Sequence, residues 1–538
     1  MDNCSDLEIP SGWVQCCIGE ICSEVNSGSG FPKQYQGNKY GDYPFAKVGD
    51  ISRHFRSGQK SIKSADNYIS ESIRETIKAK LFPEKTIVFP KIGEALKGNY
   101  RVITDCKMLF DNNVMGLTPH PSLIDCKFVF YFLTTQDFGK WSVATAVPSV
   151  RRGDIESIRL LLPPLKEQKR IVTKIEELFS ELDSGIASLK TAQEKLKVYR
   201  QAVLKHAFEG KLTTQWREDN KDKLETPEQL LTRIQQEREA RYQAQLAEWE
   251  TAVEKWEADG KEGKKPSKPS AFKPMQDITD EEINKLPVLP NGWIYARLAE
   301  ISTIGSGMSV SKDRKLNNPV TVPYLRVANV QRGKLDLTEI KSMQVEQDAL
   351  EDLRLAKWDV LFNEGGDRDK LGRGWIWENQ IDPCITQNHV FKASPLIKSE
   401  YHSKFISHWG NSFGKDYFEK GGKQTTNLAS INKTVLSNFP VPLLPFNEQE
   451  KIIEMLDDTM SQIDVMETEL ENGIHRAEIL RQSILKKAFS GQLVPQDPND
   501  ELASELLARI QAEKAAALAQ PKPTPVKRAR KAKEAAHG

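Results

Sequence analysis

The sequence repeats itself at a nearly constant offset, and this internal duplication constrains the fold more than any other feature of the chain. Four pairs of segments recur in the same order: 10–13 (Pro-Ser-Gly-Trp) with 290–293 (Pro-Asn-Gly-Trp), 48–51 with 327–330, 167–168 (Glu-Gln) with 448–449 (Glu-Gln), and 200–212 with 481–493. The offset of about 280 residues indicates two structural copies joined in one chain. A chain of 538 residues is also too long for one compact core, which favours at least two domains.

Similarity between the two copies is uneven. It is strongest at the Gly-Trp starts and in the predicted helices, whereas residues 50–150 and 330–430 share little beyond their pattern. A common frame with different interiors favours one task carried out on two different targets.

Two long helices are predicted at 163–212 and 446–493, where apolar residues recur every seven positions. The seam consists of Ile175, Leu182, Leu189, Leu196 and Val203 in the first helix and of Leu456, Ile463, Leu470, Ala477 and Ile484 in the second. Each helix would be roughly 60 Å long at about 1.5 Å per residue, and neither should be stable alone in water. We favour pairing of the two helices as an antiparallel coiled coil, and packing of each helix on its own domain is the alternative.

The remaining segments predict an α+β fold for two domains, 1–162 and 286–445. Short apolar runs such as Thr86–Pro90 and Asp359–Phe362 indicate buried strands separated by turns. Residues 213–285 are predicted to form a helical extension and a linker, and 494–538 a C-terminal helix and a basic tail.

The helical extension carries an apolar stripe with aromatic residues seven positions apart. Within 226–258 the stripe consists of Tyr242, Leu246, Trp249, Val253 and Trp256. Ordinary helix packing explains such a stripe, and a docking face for another subunit is the alternative. The basic tail is expected to be disordered, with contacts to phosphates as the alternative.

Composition and motifs exclude several classes of protein. No run of about 18 apolar residues is present, so no membrane span is expected, and the acidic start does not resemble a secretory signal. Seven unevenly spaced cysteines without a CxxC pair indicate reduced cytoplasmic thiols and no metal site. Walker loops, nucleophile elbows and amino-methyltransferase motifs are missing, so we predict no catalytic residues. Because the net charge is only +1, any nucleic-acid surface must be local.

Polar loops with basic and amide side chains remain as candidate DNA-contacting elements, and they occur at the same two places in each copy. The first copy holds Lys91, Lys97, Asn99 and Arg101 after a buried strand, and Arg151 and Arg152 before its final strand. The second copy holds Asn363, Arg368, Lys370 and Arg373, followed by Lys423, Gln424, Thr425 and Asn427. Arg suits guanine edges, Asn and Gln suit adenine, and Lys suits phosphates. A solvated loop without a ligand is the alternative for each residue.

The ends of both domains resemble those of the specificity subunit of type I restriction–modification enzymes. The first copy has Ile158-x-Leu160-x-Leu162-Pro163-Pro164-Leu165-x-Glu167-Gln168, and the second has Gln424-Thr425-Thr426-Asn427, Phe439-Pro440-Val441-Pro442 and Glu448-Gln449. The Gly-Trp starts, the Arg-Gln-x-Val/Ile-Leu-Lys helix ends and the two-copy layout are similar too. The resemblance therefore covers nearly the whole chain.

This resemblance implies that the two domains are target-recognition domains, each for one half of a bipartite asymmetric DNA target, and that the helices set the spacer. The chain would be non-catalytic and bind no cofactor. Its partners would be two modification subunits, which bind S-adenosylmethionine and methylate adenine N6, and two restriction subunits, with ATP and Mg also on partner subunits. Two other hypotheses stay open: a fused DNA-modifying enzyme with an unrecognised active site, and a coiled-coil assembly protein without DNA recognition.

Overall fold

The computed structural model describes residues 9–141, 148–263, 265–311, 315–366, 370–424 and 429–519. The chain divides into two compact units, one made of Met1–Lys190 and Glu471–Gly538 and the other of Thr191–Leu470. This division cuts both long helices, Leu165–Phe208 and Phe446–Phe489. Each unit therefore holds one globular domain together with a part of each long helix.

A glycine in the left-handed conformation follows the end of each long helix. Gly210 has a φ of 65° and Gly491 has a φ of 74°, and each lies two residues beyond the last helical residue. This left-handed conformation costs glycine little, because it has no Cβ atom to collide with the backbone. The helices are thus slightly shorter than the predicted segments.

The first unit contains ten strands among its described residues, all in the first domain. They are β1 (Val14–Cys17), β2 (Cys22–Ser27), β3 (Tyr43–Ala46), β4 (Ser61–Ile62), β5 (Asn67–Ile69), β6 (Ile87–Pro90), β7 (Val102–Thr104), β8 (Leu109–Phe110), β9 (Val114–Pro119) and β10 (Arg159–Leu162). Five strands form a mixed sheet in the order β2-β9-β6-β7-β4, three pair as β5-β3-β8, and β1 pairs with β10. The helices of this domain are Ile18–Ile21, Val48–Arg56, Glu71–Thr76, Glu94–Lys97, Cys126–Thr134 and Arg152–Glu156.

The core of the first unit joins segments that are far apart in the sequence. Phe128 and its neighbours pack against Ile171 and Ile175 of the first long helix and against Ile484 of the second. The C-terminal helix, Ala503–Ala519, adds Leu506 and Ile510 to the same core. The Lys514 ammonium of this helix donates to the carbonyl oxygens of Gly19 and Glu20 at 2.7 Å each, which satisfies the end of a short helix.

The second unit contains thirteen strands among its described residues. They are β11 (Ile294–Arg297), β12 (Ser302–Ser306), β13 (Pro319–Leu325), β14 (Val330–Gln331), β15 (Lys334–Leu335), β16 (Lys341–Glu346), β17 (Val360–Asn363), β18 (Gly365–Gly366), β19 (Ile385–Thr386), β20 (Val390–Pro395), β21 (Lys423–Gln424), β22 (Ala429–Ser430) and β23 (Pro440–Leu443). The sheets are β12-β20-β17, β16-β13-β19, β18-β22-β21, β14-β15 and β11-β23. The helices are Thr214–Asn220, Pro227–Ala258, Asp280–Ile283, Leu298–Ile301, Leu350–Leu353, Glu400–Ser412, Gly414–Gly421 and Lys433–Ser437.

The core of the second unit is assembled in the same way. Trp409 and Phe405 pack with Phe208 at the end of the first long helix and with Ile452 near the start of the second. Leu230 and Ile234 of helix Pro227–Ala258 complete the core, where Leu506 and Ile510 stand in the first unit. Arg238 donates to the carbonyl oxygens of Ala299 and Glu300 at 2.7 Å each, which repeats the contacts of Lys514.

Within each unit the parts of the two long helices contact one another. In the first unit Arg481 forms an ion pair with Asp183. In the second unit Arg200 forms ion pairs with Asp464 at 2.6 Å and with Glu467 at 3.0 Å. Arg200 and Arg481 are equivalent positions of the repeat, as are Asp183 and Asp464, so the two contacts are copies of each other.

The predicted seam is covered along both helices. Ile175, Val203, Leu456, Ile463 and Ile484 are buried, and Leu182, Leu189, Leu196, Leu470 and Ala477 are partly buried. Other apolar side chains of the helices remain exposed: Val198 (66 %), Tyr199 (53 %), Val465 (62 %), Met466 (52 %), Ile479 (56 %) and Leu480 (50 %). The helices therefore bury one apolar stripe and present another.

The aromatic stripe of helix Pro227–Ala258 lies against the segment that follows the helix. The Trp249 indole N–H donates to the Pro266 carbonyl oxygen at 3.1 Å, and the Lys268 ammonium lies 5.4 Å from the centre of the Trp249 ring. Lys265 lies over the Trp256 ring in the same manner, at 5.7 Å. Intramolecular contacts thus cover part of the stripe, which favours ordinary packing over a docking face.

Two further properties of the described residues bear on the expectations from composition. No helix in these ranges combines the length and the apolar character that a membrane span requires. The six cysteines in these ranges, Cys16, Cys17, Cys22, Cys106, Cys126 and Cys384, are free thiols.

Candidate nucleic-acid interface

The repeated Glu-Gln motif lies at the start of each long helix, and in the second unit its glutamate forms a structural junction. Buried Glu448 accepts hydrogen bonds from the Thr213 hydroxyl at 2.7 Å, Arg217 Nε at 2.9 Å and Trp293 Nε1 at 3.0 Å. Buried polar groups need such partners. Here the hydrogen bonds join the second long helix to the start of the second domain and to the segment after the first long helix. The motif thus organises the fold and does not belong to an exposed site.

The glutamine of the motif has the same role in both units. Gln449 accepts from His402 Nδ1 at 2.8 Å and donates to the Leu444 carbonyl oxygen at 2.8 Å. Gln168 accepts from the Asp125 backbone N–H at 2.9 Å and donates to the Pro163 carbonyl oxygen at 2.9 Å. Each glutamine therefore fixes the turn between the final strand and the long helix.

In the first domain, the loops predicted to contact DNA lie at one end of the five-stranded sheet. Strand β9 is antiparallel to both β2 and β6, so the start of β9 lies beside the ends of the other two strands. The Lys91 backbone N–H donates to the Asn113 carbonyl oxygen at 2.9 Å, and the Val150 N–H donates to the Lys91 carbonyl oxygen at 3.0 Å. We call residues 27–30, 91–97, 111–113 and 148–152 the first loop cluster.

The second domain brings the equivalent loops together. The Glu364 backbone N–H donates to the His389 carbonyl oxygen at 2.9 Å, and the Ile431 N–H donates to the Glu364 carbonyl oxygen at 2.8 Å. Strands β18 and β22 extend this contact, because Gly365 pairs with Ser430. We call the described residues of 306–308, 364–374, 387–389 and 423–430 the second loop cluster. Both predicted loops of each copy are therefore neighbours in space.

Four of the candidate residues in the first domain are at least partly accessible. Lys91 donates from Nζ to the Ser27 hydroxyl at 3.0 Å, and Lys97 forms an exposed ion pair with Glu94 at 2.8 Å. Arg151 is exposed, and Arg152 forms an exposed ion pair with Glu156 at 2.7 Å. These side chains can exchange weak surface contacts for contacts with phosphates or bases.

The other two candidates of the first domain have an internal role. Arg101 is only 1 % exposed, and its guanidinium donates to Asn99 Oδ1 at 2.8 Å and to the Gln136 carbonyl oxygen at 3.2 Å. Burial lowers the pKa of Arg101 to about 9, and the guanidinium lies 4.5 Å from the centre of the Phe138 ring. Asn99 Oδ1 also accepts from the Phe138 backbone N–H at 3.1 Å. The prediction of Arg101 as an exposed base-contacting residue is wrong, and Asn99 is occupied by the same local network.

A similar correction applies to Asn363 in the second domain. Its side chain is fully buried, and its amide donates to the carbonyl oxygen of Val330 at 2.8 Å and of Val327 at 3.4 Å. Because all four residues of β17 are buried, Asn363 at the end of this strand holds a neighbouring turn and is not an exposed base-contacting side chain.

The remaining candidates of the second domain are partly described. Lys370 and Arg373 are partly exposed, and Arg373 donates to the Val327 carbonyl oxygen at 3.5 Å. The backbones of Lys423 and Gln424 form strand β21, which pairs with β22. Arg368, Thr425 and Asn427 lie outside the described residues.

Sequence reasoning missed one polar cluster at this end of the second domain. Glu364 Oε2 lies 2.6 Å from His389 Nδ1, and the Asn388 side chain contacts His389 Nε2 at 3.3 Å. The sequence prediction considered only basic and amide side chains and therefore did not include Glu364. Its position directly after a buried strand, like that of Lys91, could have indicated it. No group of three potential metal ligands converges anywhere in the described ranges.

Comparison with known proteins identifies the family. Residues 10–193 and 290–476 match the family described as type I restriction modification DNA specificity domain, so both copies of the repeat are matched. The chain belongs to this family. Its role is that of a DNA sequence-specificity subunit, which itself performs no catalysis.

Two curated relatives and one solved structure illustrate the similarity. The chain is 22 % identical to the type I restriction enzyme EcoKI specificity subunit of Escherichia coli (strain K12), over 95 % of this chain and 97 % of the relative. It is 23 % identical to the EcoDI specificity subunit of Escherichia coli, over 74 % of this chain and 78 % of the relative. A chain from a structure of a type I R-M system superposes with a TM-score of 0.57 at 17 % identity, over 90 % of this chain and all of that chain, and supports the fold.

Proposed function

We propose that each domain of this specificity subunit reads one half of a bipartite, asymmetric DNA target through its loop cluster. The observation that carries the proposal is that both clusters are built on the same backbone frame, with equivalent hydrogen bonds at Lys91 and Glu364. The side chains on the two frames differ. Direct readout depends on side-chain chemistry at base edges, so different side chains on one frame suit different half-sites.

We also propose that the two long helices pair as an antiparallel coiled coil within a pseudo-two-fold arrangement and set the spacer between the half-sites. The repeated ion pairs Arg481–Asp183 and Arg200–Asp464 support this pairing. In each ion pair a residue near the end of one helix meets a residue near the middle of the other, and the reciprocal pairing is what antiparallel helices require. A rigid helical connection fixes the separation of the two readers, whereas a flexible linker does not.

The partners follow from the proposed role: double-stranded DNA, two modification subunits and two restriction subunits, with S-adenosylmethionine, ATP and Mg bound by those subunits. Exposed apolar pairs support two equal docking faces, because Val198 and Tyr199 occupy the same repeat positions as Ile479 and Leu480. Apolar side chains that stay exposed on a helix indicate a partner surface. Equivalent surfaces suit two copies of one partner.

Sequencing of the adenine methylome in the host, with and without this chain, tests the proposal. We expect one bipartite motif to disappear when the chain is removed and to return when it is restored. Exchange of residues 14–150 for those of another family member should change one half-site and leave the other intact. An unchanged methylome, or methylation of DNA by the isolated chain, would contradict the proposal and favour an assembly protein or a fused enzyme, respectively.

A further inference from the structure

Lys91 and Glu364 occupy the same position of the repeat, as judged by strand register and backbone hydrogen bonds. Each residue follows the last residue of a buried strand, and the pairs Pro90–Val114 and Asn363–Val390 are equivalent in register. The backbone N–H of each residue donates to the residue before β9 or β20, Asn113 or His389, at 2.9 Å. The carbonyl oxygen of each accepts from an equivalent partner, Val150 or Ile431.

The backbone frame is thus held on both sides in the same way, while the side chain carries opposite charge. In the first loop cluster the Lys91 ammonium reaches the Ser27 hydroxyl at the end of β2. In the second loop cluster the Glu364 carboxylate contacts His389 Nδ1, and the Glu364 side chain is 25 % exposed. The backbone frame therefore accepts either charge, and each charged group has a local partner of its own.

An acidic side chain at a DNA-facing loop needs a specific reason, because phosphates repel it. A carboxylate accepts hydrogen bonds and donates none, so among base edges in the major groove it suits the cytosine N4 amino group. A lysine ammonium only donates, and it suits the O6 and N7 acceptors of guanine. The same backbone frame would thus favour cytosine where it carries a glutamate and guanine where it carries a lysine.

We infer that this position determines specificity in both domains, with Lys91 contacting guanine in one half-site and Glu364 contacting cytosine in the other. The inference rests on the proposed function, since it assumes that each loop cluster faces one half-site. It goes further by assigning a base preference to one named position in each domain. Ser27 at the end of β2 and His389 just before β20 orient the two charged groups.

Charge-reversal variants test the inference in the complex reconstituted with its modification subunits. The readout is methylation of a DNA library that is randomised across both half-sites, followed by sequencing. For Glu364→Lys we expect a cytosine preference at one base pair of one half-site to be lost or replaced by guanine, with the other half-site unchanged. For Lys91→Glu we expect the reverse change in the other half-site. Loss of one good contact corresponds to roughly 10- to 100-fold lower discrimination at that base pair.

Matched controls use the opposite end of the same two strands. The Trp377 backbone N–H donates to the Asp359 carbonyl oxygen just before the start of β17. The substitution Glu378→Lys at the next residue therefore makes the same charge change far from the second loop cluster. Lys85→Glu does so at the start of β6, where the Lys85 N–H donates to Thr104. Neither control should alter either half-site. The variant Glu364→Gln keeps the size of the side chain and should relax the preference without reversing it.

The outcomes separate this inference from the function on which it rests. A wild-type complex that yields no bipartite motif would refute the proposed function. A wild-type motif that persists unchanged in both reversal variants would overturn the inference and leave the proposed function intact. A uniform change of affinity across all sequences would also overturn it, because it would indicate a contact to phosphate. Thermal unfolding of each variant confirms that it folds.

Discussion

At the scale of single residues, the positions that repeat most faithfully are those that hold the frame together. Glu448 collects three donors in the interior, and Gln449 and Gln168 close the turns before the long helices. Asp50 and Asn329 also match, since each side chain accepts from the backbone N–H three residues earlier, Lys47 at 2.8 Å or Arg326 at 2.9 Å. The residues that differ between the copies, such as Lys91 and Glu364, lie at the accessible sheet end.

Replacement of Glu448 by alanine should destabilise the second unit by about 3 kcal/mol, because it leaves the largely buried Arg217 guanidinium and two other donors without their acceptor. Urea unfolding of the full chain measures the loss. Glu450, which is exposed two residues further along the helix, provides the control, and Glu450→Ala should change stability by less than about 0.5 kcal/mol. Equal effects of the two substitutions would contradict the junction role.

His402 should make stability depend on pH. Burial lowers the pKa of His402 to about 4, opposed by the hydrogen bond to Gln449, so the folded state binds fewer protons than the unfolded state below about pH 6.5. This contribution is fully present above about pH 6.5 and is lost as the pH falls through about 4, by roughly 3 kcal/mol in total. In urea titrations, His402→Gln should flatten the loss between pH 6.5 and 4, whereas His206→Gln at an exposed position should not. Parallel curves for wild type and His402→Gln would rule this out.

At the scale of elements, helix Pro227–Ala258 and helix Ala503–Ala519 each contact a domain through a cation at an equivalent place. Arg238 binds the carbonyl oxygens at the end of helix Leu298–Ile301, and Lys514 does the same for helix Ile18–Ile21. An arginine and a lysine thus perform the same task in equivalent places. The cation neutralises the partial negative charge at the end of each short helix.

Arg238→Ala should loosen the first half of helix Pro227–Ala258, and Arg238→Lys should not, since Lys514 shows that an ammonium suffices. Loss of a charged hydrogen-bond donor is worth about 2 kcal/mol, which corresponds to roughly 30-fold faster amide exchange where local opening governs it. Hydrogen exchange of residues 227–241 measures this change, with Gln243→Ala on the exposed side of the same helix as the control. Unchanged exchange in Arg238→Ala would refute the docking role.

The sequence predicts structural features that depend on a residue period or on a local rule. It does not predict features that depend on contacts between residues far apart in the chain. The heptad spacing located both long helices, in which Ile175 and Val203 are buried, and a glycine follows the end of each helix, at 210 and 491. Loop residues have no period, so nothing in the sequence distinguished buried Arg101 and Asn363 from exposed Arg151. The sequence also did not indicate which chain segments form each compact unit, because this depends on contacts between residues hundreds of positions apart.

At the scale of the whole molecule, the proposed role separates recognition from spacing. The loop clusters belong to the domains, whereas the proposed spacer element is the pair of long helices. A change in one should therefore leave the other unaffected. Substitutions at Lys91 or Glu364 are expected to alter half-sites only, and changes of helix length are expected to alter the spacer only.

Insertion of one heptad into each long helix, at matching repeat positions, should lengthen the spacer of the methylated motif by about three base pairs. Seven residues add about 10.5 Å to a helix, and DNA rises about 3.4 Å per base pair. Methylome sequencing reads both the spacer and the half-sites. Insertion into one helix alone is the control, because it disrupts the seam and should abolish activity. Altered half-sites with an unchanged spacer would contradict the proposal that the long helices set the spacer.

The way in which the chain is divided between the two units has a consequence for synthesis on the ribosome. Thr191–Leu470 is continuous, so the second unit can close as soon as it has emerged, whereas the first unit needs Glu471 onwards to cover Ile171, Ile175 and Phe128. About 280 residues must be translated in between, which takes roughly 15 to 60 seconds at 5–20 residues per second. The domain made first is thus completed last, and during that interval its uncovered apolar surface is a natural substrate for chaperones and proteases.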